Sequence, residues 1–315
     1  MTGKVEYRRD YSKTLLGQTK GLLRRLDLHA RKSLGQHFLI DREVLDRVAS
    51  AAELAADDTV IEVGPGLGVL TGELARQAGR VIAVELDGRL ASILKQTLAS
   101  VKNVSIINED ILKLDPAALF EEQRAGLPLA GGKSVSYKVV ANLPYYITSA
   151  VLRHFLEASL KPRLMVVMVQ KEVAEAIVAK PGRMGLLSIS VQFYGKPEIA
   201  SYVPACCFYP APEVDSAILK ITVYTQPMIT VKDTDGFFRL VRAGFTASRK
   251  QLPNSLALGL GLPKADVLSL LEAAGITCKR RAETLALEEW QRLWQVFGRR
   301  QNDNGSGASQ VKPDS

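Results

Sequence analysis

The residue types best suited to chemistry fall in two short stretches, Glu62-Val63-Gly64-Pro65-Gly66-Leu67-Gly68 and Asn142-Leu143-Pro144-Tyr145. The second follows the apolar run Val139-Val140-Ala141, so an amide, bare carbonyls beside a proline and an aromatic ring arrive together at a strand end. An exocyclic aromatic amine is a weak nucleophile because its lone pair is delocalised into the ring. Acceptors on both of its N–H groups, Asn142 Oδ1 and a main-chain carbonyl near Pro144, would draw it toward a pyramidal, reactive form. Tyr145 would stack on the ring and fix its plane. Four residues alone fit equally well a strand that runs into a Pro-Tyr turn packed in a core.

The first stretch suits a different partner. A glycine-rich turn directly after a strand lets a ligand approach the backbone closely. Its spacing is G-x-G-x-G, with Gly64, Gly66 and Gly68, whereas turns that cradle a pyrophosphate use G-x-G-x-x-G. Glu62, two residues before the first glycine, would repel phosphate but suits a cation such as the ammonium of a methionyl tail. Glu85, 23 residues further on, ends the next apolar run, where a carboxylate can accept both hydroxyls of a ribose. Asp110 closes a third run and can bond the adenine amine of a nucleoside. Singly, each acid reads as a solvated turn residue. Three at successive strand ends, on the edge that also carries Asn142, read as one site.

These side chains meet only if the runs Thr59–Val63, Val81–Val84, Asn103–Asp110 and Val139–Ala141 lie side by side as strands with helices between them, which is a doubly wound α/β arrangement. Asp41 is an acceptable N-cap ahead of Val44, Leu45 and Val48, and further helices are expected from near Leu70, over Ser149–Ala158 and from Gln170. Gln36 and His37 fall in the approach to the Asp41 helix, as a loop lying over a cofactor or as ordinary surface residues. Leu164–Val169, Arg183–Phe193, Glu198–Val203 and Asp215–Val223 read as strands, with a turn at Gly195-Lys196-Pro197, and 121–136 as a surface loop. Past Tyr224 the pattern becomes helical, over 234–246, 252–258, 264–274 and 287–297. Arg239, Arg242, Arg249, Lys250, Lys279, Arg280 and Arg281 there form a candidate phosphate-facing surface.

With 315 residues, 47% of them hydrophobic, the chain can build one large domain and a smaller one. The net charge of +8 and a pI near 9.3 favour a polyanionic partner. The first 32 residues hold nine Lys/Arg against three acids, which reads as a basic arm on RNA, a solvated helix or an organellar transit peptide. Cys206, Cys207 and Cys278 are odd in number and lack metal-ligand spacing, so reduced thiols in a cytoplasmic setting are expected, with no metal. No apolar run approaches the roughly 20 residues of a membrane span.

Glu62 to Gly68, Glu85, Asp110 and Asn142 to Tyr145 together look like an S-adenosylmethionine-dependent amino-methyltransferase. With Gly35-Gln36-His37-Phe38-Leu39 upstream and Phe208-Tyr209-Pro210-Ala211-Pro212-Glu213-Val214-Asp215-Ser216 downstream, residues 30 to 298 resemble the ribosomal RNA adenine dimethyltransferase family, nearest its small-subunit branch. The resemblance implies a Rossmann-like sheet flanked by helices and a small C-terminal helical domain. It divides the chain into a basic arm (1–32), a catalytic domain (33–225), a helical RNA-binding domain (226–298) and a disordered tail (299–315). It implies S-adenosylmethionine, held by Gln36, His37, Leu39, Glu62, Gly64, Gly66, Gly68, Glu85, Asp110 and Asn142. The acceptor adenine falls to Asn142, Leu143, Pro144 and Tyr145, with Phe208 facing the base from the other side. The implied partner of a monomeric, cytoplasmic enzyme is small-subunit ribosomal RNA or its precursor particle, dimethylated at N6 of two adjacent adenines near the 3′ end. A large-subunit adenine methylase shares such a site, although Leu143, the basic arm and the helical domain lean against it. A non-catalytic factor on the same fold and a DNA adenine methylase are the other readings.

Overall fold

The computed structural model describes residues 14–28, 30–31, 34–122 and 136–306. The beginning of the basic arm, most of the 121–136 loop and the end of the tail lie outside the described residues. The chain divides into two units, residues 1–175 with 195–225 and residues 176–194 with 226–315. In chain order the elements are α1 (Leu15–Arg25), β1 (Phe38–Leu39), α2 (Arg42–Ala51), β2 (Thr59–Val63), α3 (Val69–Gln77), β3 (Arg80–Glu85), α4 (Gly88–Thr97), β4 (Val104–Asn108), α5 (Pro116–Glu122), β5 (Tyr137–Asn142), α6 (Thr148–Glu157), β6 (Leu164–Gln170) and α7 (Lys171–Ile177). There follow α8 (Leu186–Tyr194), β7 (Gly195–Val203), β8 (Phe208–Tyr209), β9 (Ser216–Val223), α9 (Thr234–Phe245), α10 (Leu252–Leu260), α11 (Lys264–Ala273) and α12 (Leu287–Ser306).

The first unit is a seven-stranded sheet of order β4-β3-β2-β5-β6-β9-β7. Strands β4 to β6 run parallel, while β9 is antiparallel to both β6 and β7. Parallel strands need both faces covered, and β2, β3 and β5 are accordingly buried along nearly their whole length. Strand β2 pairs with β3 on one side and β5 on the other, so the strand order reverses at β2 and opens a crevice at the carboxyl ends. The Asp41 carboxylate accepts from the Val44 N–H at 3.0 Å and starts α2, whose Val44, Leu45 and Val48 enter the core beneath the sheet. At the opposite end of the strands, buried Lys138 pairs with Asp58 at 2.9 Å and donates to the Ala52 carbonyl. That pair ties the end of α2 to β5, away from the crevice.

Four expectations change. The strand expected over Arg183–Phe193 is mostly helix α8; its run of β-branched and aromatic residues is too short for periodicity to separate a buried strand from a buried helix. In the second unit, Phe193 of α8 packs its ring 5.5 Å from Phe237 and 5.2 Å from Phe238 on α9, contacts a strand in the sheet would not make. The turn expected at Gly195-Lys196-Pro197 is the start of β7, an edge strand, where a proline leaves no ladder bond unmade inside the sheet. Helix α12 continues to Ser306, so no break falls at residue 298. Arg280, expected on the phosphate-facing surface, is bound instead to Glu289 and to Thr284.

Candidate active site

The carboxyl edge of the sheet forms a cavity of about 270 Å³ within the first unit. Because β4, β3, β2 and β5 are neighbours in that order, Asp110, Glu85, Glu62 and Asn142 follow one another across the carboxyl edge and all line the cavity; Glu62, opposite Ala83 and Val140, is set back along its strand from Glu85 and Asn142, and Asp110 lies beyond Asn108, the partner of Glu85. The cavity is also lined by Gln36, His37, Leu39, Gly64, Gly66, Leu143, Pro144 and Tyr145.

The Asn142 amide is oriented by its surroundings. Its Nδ2 donates to the His37 carbonyl at 2.9 Å, which leaves Oδ1 as the free acceptor. The Leu143 N–H donates to the Met168 carbonyl on β6, and the Pro144 carbonyl accepts from the Ile147 N–H to close the 3-10 turn Tyr145–Ile147. The main-chain acceptor beside Asn142 that the turn does not use is the Leu143 carbonyl. Tyr145 is fixed at its far end by a 2.7 Å hydrogen bond with Ser216 Oγ. The His37 ring lies nearly parallel to it, 6.1 Å away at 21°. His37 Nδ1 donates to the Pro210 carbonyl at 2.7 Å, so the proton of the neutral ring sits on Nδ1.

At the β2 end, Glu62 is 1% exposed, and neither its Oε2 nor the Thr71 hydroxyl has a hydrogen-bond partner among the described residues. Desolvation pushes its pKa from 4.5 up to about 8; the neighbouring Thr71 opposes this and the nearby Glu85 adds to it. Glu85 is also raised, first by burial, although its oxygens accept from the Gly66 N–H at 3.0 Å and the Asp87 N–H at 2.9 Å. Gly66 has φ 59°, and a Cβ there would stand 3.3 Å from the Phe38 ring, so the turn closes this tightly only with glycine. Asp110 caps the following 3-10 turn through Leu112 N–H while still lining the cavity.

Two expected site residues are not brought to the cavity. Gly68 begins α3 with φ 79°, where a Cβ would meet Leu94 at 2.7 Å; its role is helix packing. Phe208 is 3% exposed in the core with Leu39, Leu45 and Cys207, because β8 pairs with β1 and turns the ring inward. The ring facing Tyr145 is that of His37. Gln36 lines the cavity, but its amide braces the loop, accepting from the Arg31 N–H and donating to Asp87. Three residues not singled out in the sequence also contribute. Leu86, 53% exposed, lines the cavity beside Glu85; Asp87 anchors Arg31 and Gln36; and Ser216 holds Tyr145. An apolar residue placed directly after a strand-end acid was the available signal for Leu86. Among the described residues no cluster of His, Cys, Asp or Glu is arranged to hold a metal, and no helix is long and apolar enough to cross a membrane.

The acids Asp110, Glu85 and Glu62 close three successive strands along one cavity, with an unpartnered Glu62 Oε2 among them and the Asn142 amide at the far end of the series. A sheet and cavity of this kind place the protein among the methyltransferases that use S-adenosylmethionine. Residues 27–297 match the family model for ribosomal RNA adenine dimethylase. The chain is 53% identical over 284 residues to a ribosomal RNA small subunit methyltransferase A from Dehalococcoides mccartyi, covering 90% of this chain and 94% of that one. It is 46% identical over 277 residues to the protein of that name from Moorella thermoacetica, covering 87% and 94%. Among solved structures, the 23S rRNA methyltransferase ErmE is 29% identical with a TM-score of 0.63 over 83% of this chain and 99% of its own. A dimethyladenosine transferase from Plasmodium falciparum, 24% identical, shares the fold with a TM-score of 0.69 over 84% of this chain and 98% of its own. The chain belongs to the ribosomal RNA adenine dimethylase family.

Proposed function

We propose that this enzyme dimethylates N6 of two adjacent adenines near the 3′ end of small-subunit ribosomal RNA, acting on the RNA or its precursor particle during subunit assembly. The observation that carries this reading is the oriented Asn142 amide: with Nδ2 tied to the His37 carbonyl, Oδ1 and the Leu143 carbonyl are the acceptors offered to an amine. When bound, S-adenosylmethionine supplies a methyl group on a positively charged sulfur, so that an N–C bond forms as the S–C bond breaks. Glu62 pairs with the ammonium, Glu85 with the ribose hydroxyls and Asp110 with the donor's base. Gly64 and Gly66 allow close approach, and His37 and Leu39 wall the pocket. At the acceptor, Asn142 Oδ1 and the Leu143 carbonyl take the two N6 protons in hydrogen bonds, Pro144 sets the turn, and Tyr145 fixes the plane of the base. No strong general base is needed, because the attacked nitrogen becomes acidic as it bonds carbon and its proton passes to water.

We assign the protein to the cytoplasm as a monomer, with the basic arm and the exposed Arg239, Arg242, Arg249 and Lys250 on RNA phosphates. The test is incubation with labelled donor and unmethylated small subunits, followed by mapping of the label. Label on adjacent adenines near the small-subunit 3′ end is expected. Label on large-subunit RNA or on duplex DNA in competition would overturn the reading.

A further inference from the structure

The site described above accounts for one base, yet a second aromatic ring stands at the same mouth. Tyr146 is 61% exposed and lines the cavity together with Tyr145. The 3-10 turn Tyr145–Ile147 explains the pairing. With about three residues per turn, successive side chains diverge by roughly a third of a circle, so Tyr145 turns inward and Tyr146 outward. The outward ring is backed by the chain: a Cβ on Gly35 would stand 3.5 Å from Tyr146 Cδ1 and Cε1 and 3.3 Å from Pro144 Cβ. Gly35, at φ 59°, thus lets the loop carrying Gln36 and His37 lie flat against the turn. Tyr146 is thus backed by the chain on its Cδ1–Cε1 side and exposed elsewhere, and its hydroxyl makes no hydrogen bond to the described residues.

The other large exposed apolar side chains of this unit have different settings. Tyr202 bonds Glu175 and lies under the Lys171 ammonium, and Leu86 belongs to the Glu85 end of the cavity, where the donor lies. Tyr146 alone of these stands at the acceptor end. A supported, solvent-facing phenol ring beside a pocket for one unstacked base is what a neighbouring base needs when its stacking partner has been withdrawn.

We propose that Tyr146 is a stacking platform for the nucleotide adjacent to the target, so that the enzyme grips two consecutive unpaired bases, one on each tyrosine. This rests on the proposed function, and it supplies a reason for a substrate with two adjacent target purines: when one is under Tyr145 the other is held on Tyr146.

The test compares wild-type protein with Tyr146→Ala and Tyr146→Phe, measuring steady-state methylation of unmethylated small subunits and, separately, calorimetric binding of S-adenosylmethionine. Loss of one stacked base raises KM for the particle about tenfold in the alanine variant, whereas phenylalanine stays within about twofold of wild type. Donor Kd stays within about twofold in both variants, and the second adenine of the pair falls behind the first only in the alanine variant. An unchanged KM in Tyr146→Ala, an equal loss in Tyr146→Phe, or a matching loss of donor binding would each overturn the proposal. If wild-type protein leaves small subunits unmarked but marks another RNA, the proposed function fails, and the same comparison on that RNA still decides the stacking.

Discussion

With the donor's ammonium on Glu62, as proposed, the buried carboxyl is expected to couple donor binding to release of a proton. With a pKa of about 8 and no hydrogen bond to Oε2, the group is mostly protonated at pH 7 in the free enzyme, yet an ammonium pairs only with its ionised form. Binding must then expel about 0.9 proton at pH 7, and each pH unit below 8 weakens affinity about tenfold, or about 1.4 kcal/mol. Titration calorimetry at pH 7 in buffers of different ionisation enthalpy reads the released proton, and Kd measured from pH 6 to 8 reads the slope. Glu62→Gln removes the titration: affinity falls overall, and both buffer and pH dependence flatten. The same residue acts on stability with a definite sign. The folded pKa lies above the unfolded 4.5, so folding takes up a proton between the two values and ligand-free stability declines as pH rises from about 4.5 to about 8. The thermal midpoint of Glu62→Gln therefore gains on that of wild type as pH rises toward 8, and this pH-dependent gain vanishes only below about pH 4.5. Glu85, itself raised by burial, adds a decline of its own to both proteins. Buffer-independent enthalpy with a flat Kd in wild type, or an unchanged pH profile in Glu62→Gln, would refute the argument.

Asn142→Ala removes one amine acceptor and is expected to lower kcat by about 100-fold with donor Kd nearly unchanged, read by single-turnover methylation; activity within threefold of wild type would contradict the assigned role. Phe208→Leu separates a core residue from a base clamp. The core position predicts a thermal midpoint several degrees lower with kcat within about threefold, whereas a clamp would lose kcat at unchanged stability. Leu23 of α1 packs with Phe38, Leu67 and Leu90, all three of which line the donor cavity. Leu23→Asp should therefore raise donor Kd about tenfold by loosening that wall, as measured by equilibrium binding rather than turnover.

Much of the site was legible in the sequence because its residues sit at strand ends, and a strand end is marked by both neighbours: an apolar run before it, and a glycine, proline or acid after. Glu62, Glu85, Asp110 and Asn142 were placed this way, and the sheet order then brought them to one cavity. What the chain order hides is which neighbour a side chain meets. Phe208 lies in a proline-rich stretch that reads as facing a ligand, but pairing of β8 with β1 directs it into the core. Gln36 is near the cavity as expected, yet its amide is used by Arg31 and Asp87, contacts set by tertiary packing alone. Arg183–Phe193 reads as a strand because Ile189, Val191 and Phe193 satisfy a strand's composition, yet in Leu186–Tyr194 the same residues bury a helix. Gly195-Lys196-Pro197 reads as a turn, but Pro197 is tolerated on an edge strand, and the edge is a property of the whole sheet.

The path of the chain through its two units bears on how the protein is made. Helix α8 leaves the ribosome before β7, β8 and β9, while its aromatic partners on α9 are completed about 50 residues later. At translation rates of roughly 5–20 residues per second, Phe193 waits several seconds without Phe237 and Phe238. A chain cut short near residue 225 never gains those rings, and its α8 stays without its α9 partners.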